Sequence, residues 1–301
     1  MSLYDFFRRS DVVERLKPFQ PSRPTGTRPV LIVPYPGATP QQVGTAFDYL
    51  LRFDLQRRRP EAEDREWVAE RAPNLIYRTV PGGGSVGRPL LVEPDGYEPP
   101  PEHVARRIRA MIQDARQVHA EYISAPSPTN AQTRAIAVAA LRLASLDSVA
   151  RALKLSPKFE TVEESDVNNL LELLAVVPFD RLMRPGRLVL NPCFVGADAD
   201  LITGGRLVDV KTTQKLEWQS SYFNQLLGYY LLLRQTHAAG GRLPEVDEVG
   251  LYFSRFAHLW TISTAVWTER PGFPELERWW VAETAVPTPA RPSAGASHDA
   301  L

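Results

Sequence analysis

The chain has 301 residues, room for two average domains or one large domain with insertions, so a mini-protein held by disulfides or nucleated by metal is excluded. Apolar residues make up 44% and charged residues 23%, which excludes wholesale disorder and collagen-like structure. The 35 basic and 35 acidic residues balance to a formal charge of zero, which argues against a polybasic protein but is compatible with a local basic groove.

In chain order, Met1 to Gln20 is too charged for a signal peptide, and no apolar run approaches bilayer length, so a soluble, cytoplasmic protein is expected. Residues Pro18 to Thr27 read as a loop, and Pro29 to Val33 as a short buried strand. Thr39-Pro40-Gln41-Gln42 predicts a helix start with a Thr cap, Pro at the first helical position and Gln closing a capping box. Val43, Ala46, Phe47, Leu50 and Leu51 form its apolar stripe, and Arg57 to Pro60 ends it. Gly82 to Gly87 reads as a plain loop, because the Gly-Lys-Ser/Thr ending of a phosphate-cradling loop is absent. A long amphipathic helix follows from Pro101 to about Ile123. Its Arg106, Arg109, Gln113 and Arg116 read as a solvated face, with a phosphate-tracking surface as the alternative. Helices over Ala131 to Leu153 and Val162 to Val177 complete a helical block.

From Arg187 the apolar spacing becomes alternating, predicting strands near Leu188 to Asn191, Ala197 to Ile202 and Leu207 to Thr212. A helix from Ser220 to His237 closes at Gly240-Gly241. Strands over Glu248 to Ser254 and Leu259 to Ser263 and a short helix near Pro274 to Glu283 finish the fold, and residues from Ala285 are expected to be disordered. The domain expectation is a single domain over 1–284, with a helical insertion over about 60–180, a core over about 187–264, and a 285–301 tail.

Two residue types are scarce. Cys193 is the only cysteine, which excludes an intrachain disulfide, a four-cysteine zinc site and an all-cysteine iron–sulfur cluster. Lysine occurs only at 17, 154, 158, 211 and 215, and the other 30 basic residues are arginine. A lysine is a compact point charge with a movable pKa, and arginine is not. The five histidines, at 103, 119, 237, 258 and 298, show no metal-ligand spacing and read as surface or core residues.

The most informative segment runs from Gly196 to Thr213. Gly204-Gly205 between alternating runs predicts a two-residue hairpin, in which Thr203 faces Arg206, Ile202 faces Leu207 and Leu201 faces Val208. Continued, that register sets Asp200 against Asp209 and Asp198 against Lys211. Asp198, Asp200, Asp209 and Lys211 then share one face, and Ala199, Leu201, Val208 and Val210 share the core face. Opposed carboxylates destabilise a sheet unless something offsets them, and a divalent cation bound by oxygen would do so. The alternative is a solvated outer face with an Asp198–Lys211 pair. On the following helix Gln225 and Tyr229 lie four apart on one face, expected either beside the carboxylates or as an ordinary interfacial pair.

Asp200, then Asp209-Val210-Lys211, then Gln225-Leu-Leu-Gly-Tyr229, with Gly44-Thr-Ala-Phe-Asp48 upstream, resembles the ordered motifs of the PD-(D/E)XK nuclease superfamily, in particular its RecB-like branch. Aspartate 48 stands where the branch has histidine. The resemblance covers about Val43 to Leu51 and Arg187 to Ser263. It implies an α/β restriction-endonuclease-like core, a mixed central sheet flanked by helices, with a helical insertion before the catalytic hairpin. It further implies that Asp48, Asp200, Asp209 and the Val210 carbonyl bind Mg²⁺ or Mn²⁺. Lys211 would position or deprotonate water and stabilise the developing charge, and Gln225 and Tyr229 would orient the lysine or contact DNA. Gly44 would leave room for close approach. Asp198 would be at most a partner of Lys211.

The expected activity is Mg²⁺-dependent hydrolysis of DNA phosphodiesters, in repair, recombination or defence against foreign DNA. DNA is the expected partner, with a helicase or other protein supplying any unwinding, and no membrane. The alternative is a non-catalytic nucleic-acid-binding or scaffolding subunit that keeps the nuclease fold.

Overall fold

A computed structural model describes residues 6–7, 9–22, 29–35, 37, 39–64, 66–75, 99–152, 155–194 and 197–284. The glycine loop at 82–87 and the tail from 285 lie outside them. The main helices are α1 (Ser10–Leu16), α2 (Pro40–Arg58), α3 (Pro101–Ser124), α4 (Asn130–Ala152), α5 (Glu164–Ala175), α6 (Ser220–Ala238) and α7 (Phe273–Thr284). The strands are β1 (Leu188–Leu190), β2 (Cys193–Phe194), β3 (Ala197–Asp198), β4 (Leu201–Thr203), β5 (Arg206–Lys211), β6 (Glu248–Phe253) and β7 (His258–Ser263).

The fold is α/β, with a mixed five-stranded sheet ordered β1-β4-β5-β6-β7 and flanked by helices. β1, β4 and β5 are antiparallel neighbours, β5 runs parallel to β6, and β7 returns antiparallel to β6. A parallel pair needs a crossover connection, and α6 supplies it between β5 and β6.

Alternation along the strands splits the core into two. Leu188, Leu190, Leu201, Val208 and Tyr252 pack on one side with α2, α3, α4 and α5. Val189, Ile202, Leu207, Leu251 and Phe253 pack on the other with α1, α6 and α7. The sheet is therefore covered on both faces, and the solvated-face alternative for the hairpin does not hold. Among the described residues no helix is long and apolar enough to cross a membrane.

Helix α2 forms as its spacing predicts. Val43, Ala46, Phe47, Leu50 and Leu51 are all buried, each contributing roughly 1–3 kcal/mol of transfer free energy, less for the alanine. Its N-terminus differs from expectation. The Thr39 hydroxyl donates to Asp166 Oδ2 (3.1 Å) and makes no cap, while Gln42 reaches across to the Leu141 carbonyl (3.4 Å). Tertiary partners have taken both groups of the expected capping box. The strand expected at Pro29 to Val33 is also absent. Val30, Leu31 and Ile32 are exposed, and the backbone is tied down by Ile32 and Val33 N–H donating to the Arg255 carbonyl (2.9 and 3.1 Å).

Candidate functional site

The hairpin keeps the predicted register for three pairs, Thr203↔Arg206, Ile202↔Leu207 and Leu201↔Val208. It then breaks. Asn191, at φ 50°, turns the chain after β1, and β3 leaves the main sheet to pair with β2, so that Asp198 lies opposite Cys193 and not Lys211. Ala199 consequently packs on the α6 side, opposite to Leu201. Asp200 sits at the break. Instead of facing Asp209 across a ladder, its Oδ2 accepts the Val210 N–H at 2.5 Å.

That break brings the acidic groups together at the end of β5. Asp209 is 3% exposed and its Oδ2 forms an ion pair with the Lys211 ammonium at 2.6 Å. The Lys211 Nζ donates to Gln225 Oε1 (2.9 Å), and Gln225 Nε2 donates to the Tyr229 hydroxyl (2.6 Å). One turn of α6 thus fixes which end of the Gln225 amide faces the lysine. Helix α2 crosses nearby, with Gly44 beside Thr212 and Asp48 close enough to Asp200 and Asp209 to act on both. A Cβ on Gly44 would lie 3.6 Å from that of Thr212, an ordinary contact, so the bare backbone is not required for this approach.

Burial pushes the Asp200 carboxyl well above the usual range, and the charges of Asp48 and Asp209 push it further. Burial also raises Asp209, against the pull of Lys211. For Lys211, burial works downward, but the neighbouring carboxylates outweigh it and hold the ammonium above its ordinary range. A cluster that resists ionising is one that a bound cation would stabilise.

Two residues complete the site that sequence reasoning missed. Arg52, 3% exposed, donates to Asp48 Oδ2 at 2.9 Å from one helical turn away. Its i, i+4 spacing from Asp48 was the available signal. Tyr222 lies three residues before Gln225 and places its ring centroid 4.8 Å from the Lys211 ammonium, a cation–π contact. His119, by contrast, is a core histidine. It sits against Phe53 and Trp67 with Nε2 on Gln56 Oε1 (3.0 Å), and burial pushes its imidazole down to about 4.

The donor set fits a hard divalent cation. Asp48 Oδ1 is buried and without a hydrogen bond among the described residues, and all the carboxyl donors are oxygen. Among the described residues no three His, Cys, Asp or Glu side chains already converge as a cation cage. Each carboxylate is instead held by an internal group, Asp48 by Arg52, Asp209 by Lys211 and Asp200 by the Val210 N–H. Comparison with family models returns no match, and neither does comparison with curated proteins or with solved structures.

Proposed function

We propose that the chain is a metal-dependent deoxyribonuclease of PD-(D/E)XK type, hydrolysing phosphodiester bonds in repair, recombination or defence against foreign DNA. The observation that carries this reading is the Lys211 ammonium, held between Asp209 and Gln225 at the end of β5, with Asp200 and Asp48 beside it. The mixed sheet, in which an antiparallel hairpin passes through α6 to a parallel neighbour, accords with the core that the motifs imply.

Asp48, Asp200, Asp209 and the Val210 carbonyl would hold Mg²⁺ or Mn²⁺. When bound, the ion supplies a Lewis acid and an activated water. Lys211, protonated at neutral pH, is suited to stabilising charge that develops on the phosphate oxygens rather than to abstracting a proton. Gln225 orients that ammonium by accepting from it, and Tyr229 anchors Gln225. Tyr222 covers one side of the ammonium and restricts water around it.

The test is Mg²⁺-dependent cleavage of single- and double-stranded DNA by the wild type and by Asp209→Ala and Lys211→Ala. Cleavage by the wild type alone supports the assignment, and equal cutting by all three refutes it. A non-catalytic DNA-binding role is the second reading, favoured by the internal partner that each carboxylate already has. Calorimetry separates the two, because a pure binder holds DNA and takes up no Mg²⁺.

A further inference from the structure

We infer that Arg52 limits the centre to a single divalent cation, an inference that rests on the nuclease reading above. Two ions held side by side need carboxylates that can offer an oxygen to each. Asp48 cannot do so, because its Oδ2 accepts the Arg52 Nη2 at 2.9 Å and, among the described residues, only Oδ1 is bare.

The guanidinium is not free to swing away. It is almost completely buried, its central carbon lies 4.6 Å over the Tyr49 ring, and Nη1 reaches Asp64 Oδ1 at 4.0 Å. Tyr49 is itself fixed by donating its hydroxyl to Asp147 Oδ1 at 2.7 Å. Arg52 Nε and Nη1 make no hydrogen bond among the described residues.

Charge points the same way. Asp48, Asp200 and Asp209 face Lys211 and Arg52, a formal excess of one negative charge, with Asp64 and Asp147 having further partners of their own. One divalent ion turns that excess into a single positive charge, which one phosphodiester neutralises. A second ion would leave two positive charges uncompensated in a buried site, which is costly. Arg52 therefore stands where a second ion would otherwise sit against Asp48 Oδ2, as a positioning residue that leaves Asp48 a one-oxygen ligand.

The experiment is a Mn²⁺ titration of the full-length protein without DNA, read by electron paramagnetic resonance of free and bound ion. The wild type and Arg52→Lys, which keeps the charge, are expected to bind one Mn²⁺ per chain with no manganese–manganese coupling. Arg52→Met, which keeps the length but has no donor and is checked by its melting transition, is expected to free Asp48 Oδ2 and bind a second ion with spin coupling to the first. Two coupled ions in the wild type, or one ion in a folded Arg52→Met, overturn the role given to Arg52 and leave the nuclease reading standing. No bound Mn²⁺ in the wild type overturns the nuclease reading as well. Should Arg52→Met fail to melt cooperatively, the wild-type count decides alone, one ion in support and two against.

Discussion

Helix α2 carries two aspartates six residues apart, Asp48 and Asp54, and they are treated in opposite ways. Asp54 is 2% exposed with both oxygens used, Oδ1 accepting from Arg57 (2.8 Å) and the Tyr122 hydroxyl (2.7 Å), and Oδ2 from Arg58 (2.6 Å). Burial alone would raise its carboxyl, but these partners hold it below the ordinary value. Six residues earlier, near the middle of the helix, Asp48 keeps an oxygen that is buried and bare among the described residues, and its neighbours Asp200 and Asp209 are pushed up. A carboxylate kept for folding is satisfied by the chain itself, whereas the Asp48 cluster is left short of positive charge at the point where the strands end. Unresolved electrostatic cost of this kind concentrates at functional sites.

The largest expected effect tests the unsatisfied cluster. Lys211→Met should lower DNA cleavage at least ~10³-fold, about 4 kcal/mol of transition-state stabilisation, while leaving Mn²⁺ uptake in place. Single-turnover rates on a labelled duplex give the number, and a loss under tenfold would mean that the ammonium is a structural partner of Asp209. Next comes the satisfied aspartate. Asp54→Ala leaves Arg57 and the Tyr122 hydroxyl without their shared acceptor and should cost about 3 kcal/mol in denaturant unfolding, with no selective loss of metal binding.

Smaller, and opposite in sign, is Asp200→Asn, which should stabilise the metal-free protein by roughly 1 kcal/mol at neutral pH while weakening cation binding. The pH dependence carries the distinction further. Asp200 has its folded pKa raised, so between its ordinary value and the folded one the native state binds more protons and stability falls as pH rises. Asp54 has its folded pKa lowered, so its contribution is present above the ordinary value and is lost as pH falls through the folded one. Unfolding measured from acid to neutral pH in EDTA should therefore show Asp200→Asn removing a downward slope and Asp54→Ala removing an upward one. Parallel profiles would show that the two carboxylates do not differ in this way.

Much of the fold was legible because one-dimensional spacing set it. The stripe from Val43 to Leu51, the extent of α3, and the turn at Gly204-Gly205 all follow from local periodicity, and the three register pairs nearest the turn follow from its length. That Gln225 and Tyr229 share a face was legible from helical spacing, whereas the contact of Gln225 with Lys211 was only implied by the motif resemblance. Reasoning failed where a distant segment competes. Counting register outward from Gly204-Gly205 assumes an unbroken ladder, but β2 captures the strand at Asp198, and the turn at Asn191 that allows it carries no signal in the hairpin itself. The Thr39 cap was lost to Asp166 on a helix more than a hundred residues away. Arg52 lay within reach of helical spacing, yet an arginine directed inward looks the same in sequence as one directed at solvent.

The smallest expected effect tests Gly44, one turn before Asp48 in the same helix. Glycine inside a helix costs about 0.5–1 kcal/mol relative to alanine, because it loses more backbone freedom on folding. The only described neighbour within 4 Å of an added methyl is the Thr212 Cβ, at 3.6 Å, so no clash offsets the gain. Gly44→Ala should therefore raise stability by about 0.5–1 kcal/mol in denaturant unfolding. Its cleavage rate then separates two reasons for the glycine. An unchanged rate makes the residue incidental, since the metal-free geometry has room to spare. A rate that falls while stability rises would mean that α2 moves closer to β5 when ion and DNA are bound, so that the space beside Thr212 is used only in the loaded state.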